Sequence, residues 1–109
     1  MSLYSEYVRE HSDDEVIETE VGFGRYRFLN QTQVYIVDIY VRPDRRKSGA
    51  ASAIADNIVE LAKLRGCTEL LGTVVPSAKN STASLRVLLG YGMHLHAIEG
   101  NMVVFRKAI

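Results

Sequence analysis

A single cysteine, Cys67, stands in a chain of 109 residues. No internal disulfide can form, so packing alone must hold the core. Such sparing use of cysteine fits a reducing compartment. Cys67 follows Gly66 at an expected helix end and reads as a small buried apolar residue, not as a nucleophile. Proline occurs twice, at Pro43 and Pro76, and each stands where a strand should stop. No apolar stretch approaches the roughly 20 residues that a membrane-spanning helix needs. No basic segment followed by an apolar run opens the chain, so no secretory signal is expected. These absences point to a cytoplasmic protein. Repeats, low-complexity tracts and linkers are also missing, which leaves one domain over residues 1–109. At 47% hydrophobic and 24% charged residues, the composition rules out disorder.

Net charge is zero as well, yet the charges are unevenly spread. Residues 1–38 carry eight acids against Arg9, Arg25 and Arg27, and the remainder carries ten bases against five acids. Arg42, Arg45, Arg46 and Lys47 fall within six positions. A local basic cluster on a neutral chain fits a discrete anionic ligand better than a long nucleic acid.

The periodicities give an ordered set of elements. Ser2 to His11 reads as a short helix, and Glu15 to Val21 as a strand. Gly22 and Gly24 flank Phe23 and imply a bend or bulge rather than a strand interior. Arg25 to Leu29 reads as a further strand. In Val34 to Val41, seven of eight residues are β-branched or aromatic and only Asp38 breaks the run, the pattern of a central strand covered on both faces. From Ser48 to Arg65 the period becomes helical, with Ala51, Ile54, Ile58, Leu61 and Ala62 on one stripe and Gly66 as the C-terminal cap. Glu69 to Val75 reads as a second apolar strand and Ser81 to Leu89 as a short helix. Met93 to Ile98 and Met102 to Lys107 form a hairpin across Glu99-Gly100-Asn101. The fold class is α/β: a mixed sheet of about six strands with two to three helices packed on it.

The informative stretch is Ile39 to Ala51. An apolar strand ends, a short basic turn follows, and a glycine with small residues opens a helix. The first N–H groups of a helix lack internal partners and carry the positive end of its dipole. Small residues let a phosphate reach them. The Gly-Lys-Ser/Thr ending of a P-loop and the G-x-G-x-x-G of a dinucleotide site are both absent.

Val41-x-Pro43-x-x-Arg46-x-x-Gly49-x-Ala51 resembles motif A of the GNAT superfamily of acetyl-CoA-dependent N-acetyltransferases. The preceding Asp38-Ile39-Tyr40-Val41 is similar to the E-D-L-Y-V strand of its small-amine members. Downstream, Ser81-x-x-Ser84-x-x-x-Leu88-x-x-x-Gly92-Met93 is similar to the family's N-x-x-A/S-x-x-x-Y-x-x-x-G-F helix. The resemblance covers residues 34–109. It implies a GNAT-like fold, acetyl-CoA as cofactor, and transfer of the acetyl group to an amine of a small molecule or peptide. It further implies that Arg46, Lys47, Ser48, Gly49, Ala50 and Ala51 hold the CoA pyrophosphate. Ile39, Tyr40 and Val41 would pair with the pantetheine arm, and Ser81 and Ser84 would belong to the same cofactor site.

The chain also departs from that pattern. The family tyrosine that protonates the departing thiolate falls on Leu88, leaving Tyr91, three residues on, as a substitute or as a packing residue. The family glutamate that serves as base falls on Val37. Asp38 is the neighbouring carboxylate, but strand alternation would turn it to the opposite face, and a structural role accepting backbone hydrogen bonds competes with a catalytic one. The family's N-terminal elements are reduced to residues 2–11. His94 and His96 share a strand face in a regular strand, yet no third ligand pattern completes a metal site. The rival readings are a CoA-binding or protein-interaction module without turnover, and a nucleic-acid binder using the basic turn. Part of one sheet face, or the late hairpin around Val103 to Phe105, is expected to stay exposed and to make a homodimer contact.

Overall fold

The computed structural model describes residues 2–79 and 81–109. Helix α1 (Leu3–His11) is followed by strands β1 (Glu15–Glu18), β2 (Gly22–Phe28) and β3 (Gln33–Val41). A 3-10 turn at Pro43–Arg45 leads into α2 (Ala50–Leu64), then β4 (Glu69–Val74), α3 (Ser81–Gly90), β5 (His94–Glu99) and β6 (Met102–Ala108). The six strands form one sheet in the order β1-β2-β3-β4-β6-β5. All neighbours are antiparallel except β3 and β4, which are parallel.

Local chemistry sets the helix ends. Ser2 caps α1, its hydroxyl accepting from the Ser5 N–H at 3.1 Å. Ser2 and Ser5 both donate to the Glu18 carboxylate, which ties α1 to β1 and holds the Glu18 pKa below its ordinary value. At the far end of α2, Gly66 takes φ 90°, and the Cys67 N–H turns back to the Ala62 carbonyl at 2.9 Å. That conformation is open to glycine at no steric cost.

The core lies between the sheet and the helices α2 and α3. Ile54 and Ile58 of α2 and Val34 and Leu70 of the parallel pair are fully buried there. Met93, Phe105 and Cys67 join them. The buried face of α2 is Ile54, Ala55, Ile58, Val59 and Ala62, while Leu61 is exposed. The expected stripe is therefore displaced toward Ala55 and Val59, because the twisted sheet underneath meets a broader face than a strict i, i+3, i+4 row.

The glycines of β2 correct the sequence reading. Gly22 and Gly24 are strand residues, not a bend. A Cβ on Gly22 would lie 2.0 Å from the Tyr40 carbonyl oxygen, and one on Gly24 would lie 2.7 Å from Ile54 and 2.8 Å from Ile58. Glycine is needed for close approach of β2 to its neighbours. The irregularity sits one strand over. Arg25 pairs with Asp38 and Tyr26 with Ile36, so Val37 is an extra residue, a β-bulge in β3. The bulge keeps Val34, Ile36, Ile39 and Val41 on the core face although their spacing is not strictly two.

Candidate functional site

β3 and β4 pair only at Gln33–Glu69, Val34–Leu70 and Tyr35–Leu71. β3 runs on to Val41 and β4 to Val74 without further pairing. The two parallel strands therefore part along their C-terminal halves, and the edge of β3 that faces β4 is free beyond Tyr35. The Tyr35 phenol and the Thr73 hydroxyl meet across the start of this opening at 2.7 Å. A crevice at the carboxyl ends of parallel strands is the usual place for a ligand in α/β sheets.

The basic turn and the start of α2 stand at its mouth. Gly49 is the N-cap of α2, at φ 85°, and no side chain caps the helix. The first intrahelical bond runs from the Ala53 N–H to the Gly49 carbonyl at 3.0 Å, so the N–H groups of Ala50, Ala51 and Ser52 precede the hydrogen-bond ladder. A Cβ built on Gly49 meets nothing within 4 Å, so the space over these amides is open. Lys47 also has positive φ, at 63°, and the Ser48 hydroxyl donates to the Arg45 carbonyl, which closes the turn. The chemistry suits a polyphosphate: unpartnered amides, a helix dipole and exposed cations around a cradle that any side chain would fill.

Arg46 is the best-fixed of the four cations. Its Nε donates to the Val41 carbonyl at 3.0 Å, and its guanidinium lies over the Tyr40 ring at 5.6 Å. Tyr40 stacks on Phe23 at 5.6 Å, and Phe23 packs on Tyr4 of α1 at 5.0 Å. An aromatic row thus crosses from α1 over β2 and β3 to the basic turn before α2. Nothing in the local sequence announces it, since its members are 17 to 19 residues apart. The Val41 carbonyl is occupied by Arg46, and Tyr40, paired with Phe23 like Arg42 with Val21, turns its backbone groups to β2, which leaves Ile39 as the free residue of the strand edge.

Asp38 lies on the exposed side of the parting strand, opposite Arg25 in register. It forms no ion pair among the described residues. Arg25 and Arg27 instead both bind Asp14, which is fully buried. Burial alone would raise the Asp14 pKa, but hydrogen bonds and charge from Arg27 and Arg25 outweigh it, and the pKa is lowered. Asp14 thereby draws Arg25 away from Asp38. The backbone hydrogen bonds expected of a structural Asp38 are not present among the described residues. Beyond the bulge at Val37 the regular alternation of β3 resumes, so Asp38 shares the face of Tyr40 and Phe23.

Tyr91 is engaged elsewhere. Its hydroxyl donates to Asp56 of α2 at 2.7 Å, and burial, followed by that bond, raises its pKa. Lys107 sits over its ring at 4.4 Å and donates to its carbonyl at 2.9 Å. Leu88, at the family tyrosine's position, packs into the core beside Gly72. The Ser81 hydroxyl donates to the Pro76 carbonyl at 2.9 Å, closing the turn before α3, while Ser84 is exposed. His94 and His96 do not share a regular face, because the β5–β6 register shifts between Leu95 and Ala97. Val104 and Phe105 are buried, so the late hairpin exposes β5 and not the expected Val103–Phe105 segment.

With this geometry in place, the chain can be set against known proteins. The model of the acetyltransferase (GNAT) family matches residues 5–91. The chain belongs to the GNAT acetyltransferase family. Thialysine N-epsilon-acetyltransferase of Bos taurus is 39% identical over 54 residues, covering 46% of this chain and 32% of the relative. The chain thus spans about a third of the length of the curated relatives it matches. Among solved structures, a GNAT-family protein from Desulfovibrio desulfuricans superposes with a TM-score of 0.78 at 16% identity, over 94% of this chain and 75% of that one. A GNAT family acetyltransferase from Elizabethkingia anophelis, solved with acetyl-CoA bound, gives 0.71 at 14% identity over 89% and 77%. At these identities the likeness is one of fold. No helix among the described residues is long and apolar enough to cross a membrane.

Proposed function

We propose that the chain is an acetyl-CoA-dependent N-acetyltransferase acting on an amine of a small molecule or peptide. The observation that carries this reading is the coincidence of two features: the parting of β3 from β4, and the open, uncapped start of α2 at the mouth of the opening. The amides of Ala50 to Ser52, with Arg46 and Lys47, would hold the pyrophosphate of CoA, and Gly49 keeps that space clear. The edge of β3 near Ile39 to Val41 would pair with the pantetheine arm, with Ile39 supplying the free backbone groups. Ser81, at the start of α3, and Ser84, exposed on that helix, would belong to the same cofactor site. When bound, acetyl-CoA supplies the thioester carbon to be attacked and a thiolate that can leave.

The chain's own part is positioning and proton handling. Asp38 is an unpaired carboxylate on the open stretch of β3, and it suits an approaching ammonium group, both attracting it and taking its proton. The neutral amine would then displace CoA from the thioester carbon: a C–N bond would form, the C–S bond would break, and the second amine proton would leave to water. The thiolate would gain its proton from water, or from Tyr91 once the bond to Asp56 opens, with water reprotonating the tyrosine. A neutral amine is nucleophilic enough that placement supplies much of the rate.

The reading is tested by thiol release from acetyl-CoA over a panel of amines and peptides, run beside a CoA-binding titration. Turnover that falls in Asp38→Asn with unchanged CoA affinity supports the assignment of Asp38. Tyr91→Phe with unchanged turnover gives its proton role to water. Val37 and Leu88 replace the family's proton-exchanging side chains, and this favours a second reading, a CoA-binding module without turnover. CoA binding with no thiol release from any amine would establish that module in place of the enzyme. The single buried cysteine supports a cytoplasmic location. The exposed apolar residues of the sheet edge support a homodimer.

A further inference from the structure

β5 ends the sheet beyond β6, so one of its edges has no strand beside it. The main helix contacts are with β1 to β4, and β5 receives little cover. Leu95 is 63% exposed and Ile98 71%. A long apolar pair on an open edge is a template for another strand unless something blunts it.

The register of β5 shows what would fit. Leu95 opposes Phe105, Ala97 opposes Val104, and Ile98 opposes Val103, so His96 is the extra residue of a bulge. Without the bulge, Leu95 and Ile98 would point to opposite faces. With it, both lie on the face of Val103 and Phe105, the face that carries the core. His94, opposite Arg106, and Glu99, opposite Met102, share the other face. The strand is therefore symmetric about the midpoint of His96 and Ala97. One step outward lie Leu95 and Ile98, and two steps outward lie His94 and Glu99.

We propose that β5 is the edge through which two copies of this chain associate, antiparallel, about a two-fold axis through the His96–Ala97 bulge. That axis sets Leu95 of each copy against Ile98 of the other on the core face. It sets His94 of each against Glu99 of the other on the opposite face, a donor against a carboxylate. Centring the axis on a single residue pairs His94 with Ile98, or Leu95 with Glu99, and loses this match. The self-complementary patch is what an isologous two-fold interface requires, and the β5 edge of each sheet is covered by its copy.

The inference deepens the homodimer reading and is independent of acetyl transfer. Sedimentation velocity at micromolar concentration should show a dimer. Leu95→Lys should weaken it by roughly tenfold or more, since it sets a charge in the apolar centre of the contact, and at dilutions where the unaltered chain is monomeric the two melting curves should coincide, because Leu95 is exposed on the single chain. The double variant His94→Cys with Glu99→Cys should cross-link between copies under mild oxidation or with a short bifunctional maleimide. Each single variant should not, and the native Cys67 is buried. If Leu95→Lys fails to fold, Ile98→Ala and the cross-linking pair decide the matter. A dimer that resists these substitutions and does not cross-link would keep the homodimer and overturn this edge. A monomer would overturn both.

Discussion

Two clusters of arginine teach opposite lessons. Arg25 and Arg27 reach one buried carboxylate, Asp14, so their charge is spent inside the fold. Of Arg42, Arg45, Arg46 and Lys47, only Arg42 has an acidic partner among the described residues, Asp44 at 3.5 Å, and that pair is exposed. The first cluster holds α1 and the loop after it against the sheet. The second surrounds open amides at a helix start. Charge that is buried and satisfied is structural, whereas charge left exposed around unpartnered amides is available to a ligand.

The contrast can be broken from either side. The largest expected effect is on stability. Asp14→Ala strands two guanidinium groups and should cost about 3 kcal/mol, toward the low end for a broken buried pair because both arginines partly reach solvent. CoA affinity should hardly move. Thermal or urea unfolding beside a CoA titration checks both halves. The pH dependence has a definite sign. The folded pKa of Asp14 is lowered, so its contribution is present in full above about pH 4 and is lost as pH falls through the folded value. Asp14→Asn should flatten that acid limb of the stability profile, and an unchanged limb would assign it to other carboxylates.

The loop should answer in the reverse way. Gly49→Val puts a branched side chain at φ 85° into the open cradle. We expect a loss of roughly 1–2 kcal/mol in stability from backbone strain, and a loss of CoA affinity on the order of a hundredfold as amide contacts are blocked. Isothermal titration with differential scanning separates the two, and normal binding would move the phosphate site elsewhere. Arg46→Ala should weaken CoA about tenfold and lower the salt dependence of binding, since one charge-assisted contact is removed. The smallest effect belongs to the aromatic row. Phe23→Leu should loosen Tyr40 and through it Arg46, costing CoA affinity about two- to threefold on the scale of one ring contact. Phe23→Tyr should restore it. Equal losses in both variants would show that the row does not position Arg46.

Much of the architecture was legible because its causes are local. The helical period of Ile54, Ile58 and Ala62, the apolar run of β3 and the turn at Gly100 each depend on neighbours a few residues away. The basic loop was legible for the same reason: glycine at a helix start beside clustered cations is a short-range pattern. Gly22 and Gly24 were misread because what they avoid, the Tyr40 carbonyl and the side chains of Ile54 and Ile58, lies on other elements. The exposed face of the hairpin was placed on the wrong strand because sheet order, β6 inside and β5 outside, is not written in strand composition.

Hydrophobic period, turn chemistry and motif spacing act along the chain, so the order of the elements, the basic turn before a helix start and the family resemblance could be read from the residues alone. Which groups are free to act depends on partners brought in from distant positions. Asp38 has no ion-pair partner among the described residues because Asp14, 24 positions earlier in the sequence, claims Arg25. Tyr91 is tied because Asp56 of α2, 35 positions earlier, accepts its hydroxyl. The opening exists because β3 and β4 stop pairing after three residues. Availability is a property of partners in space, and pairing between distant residues is what folding adds to the chain.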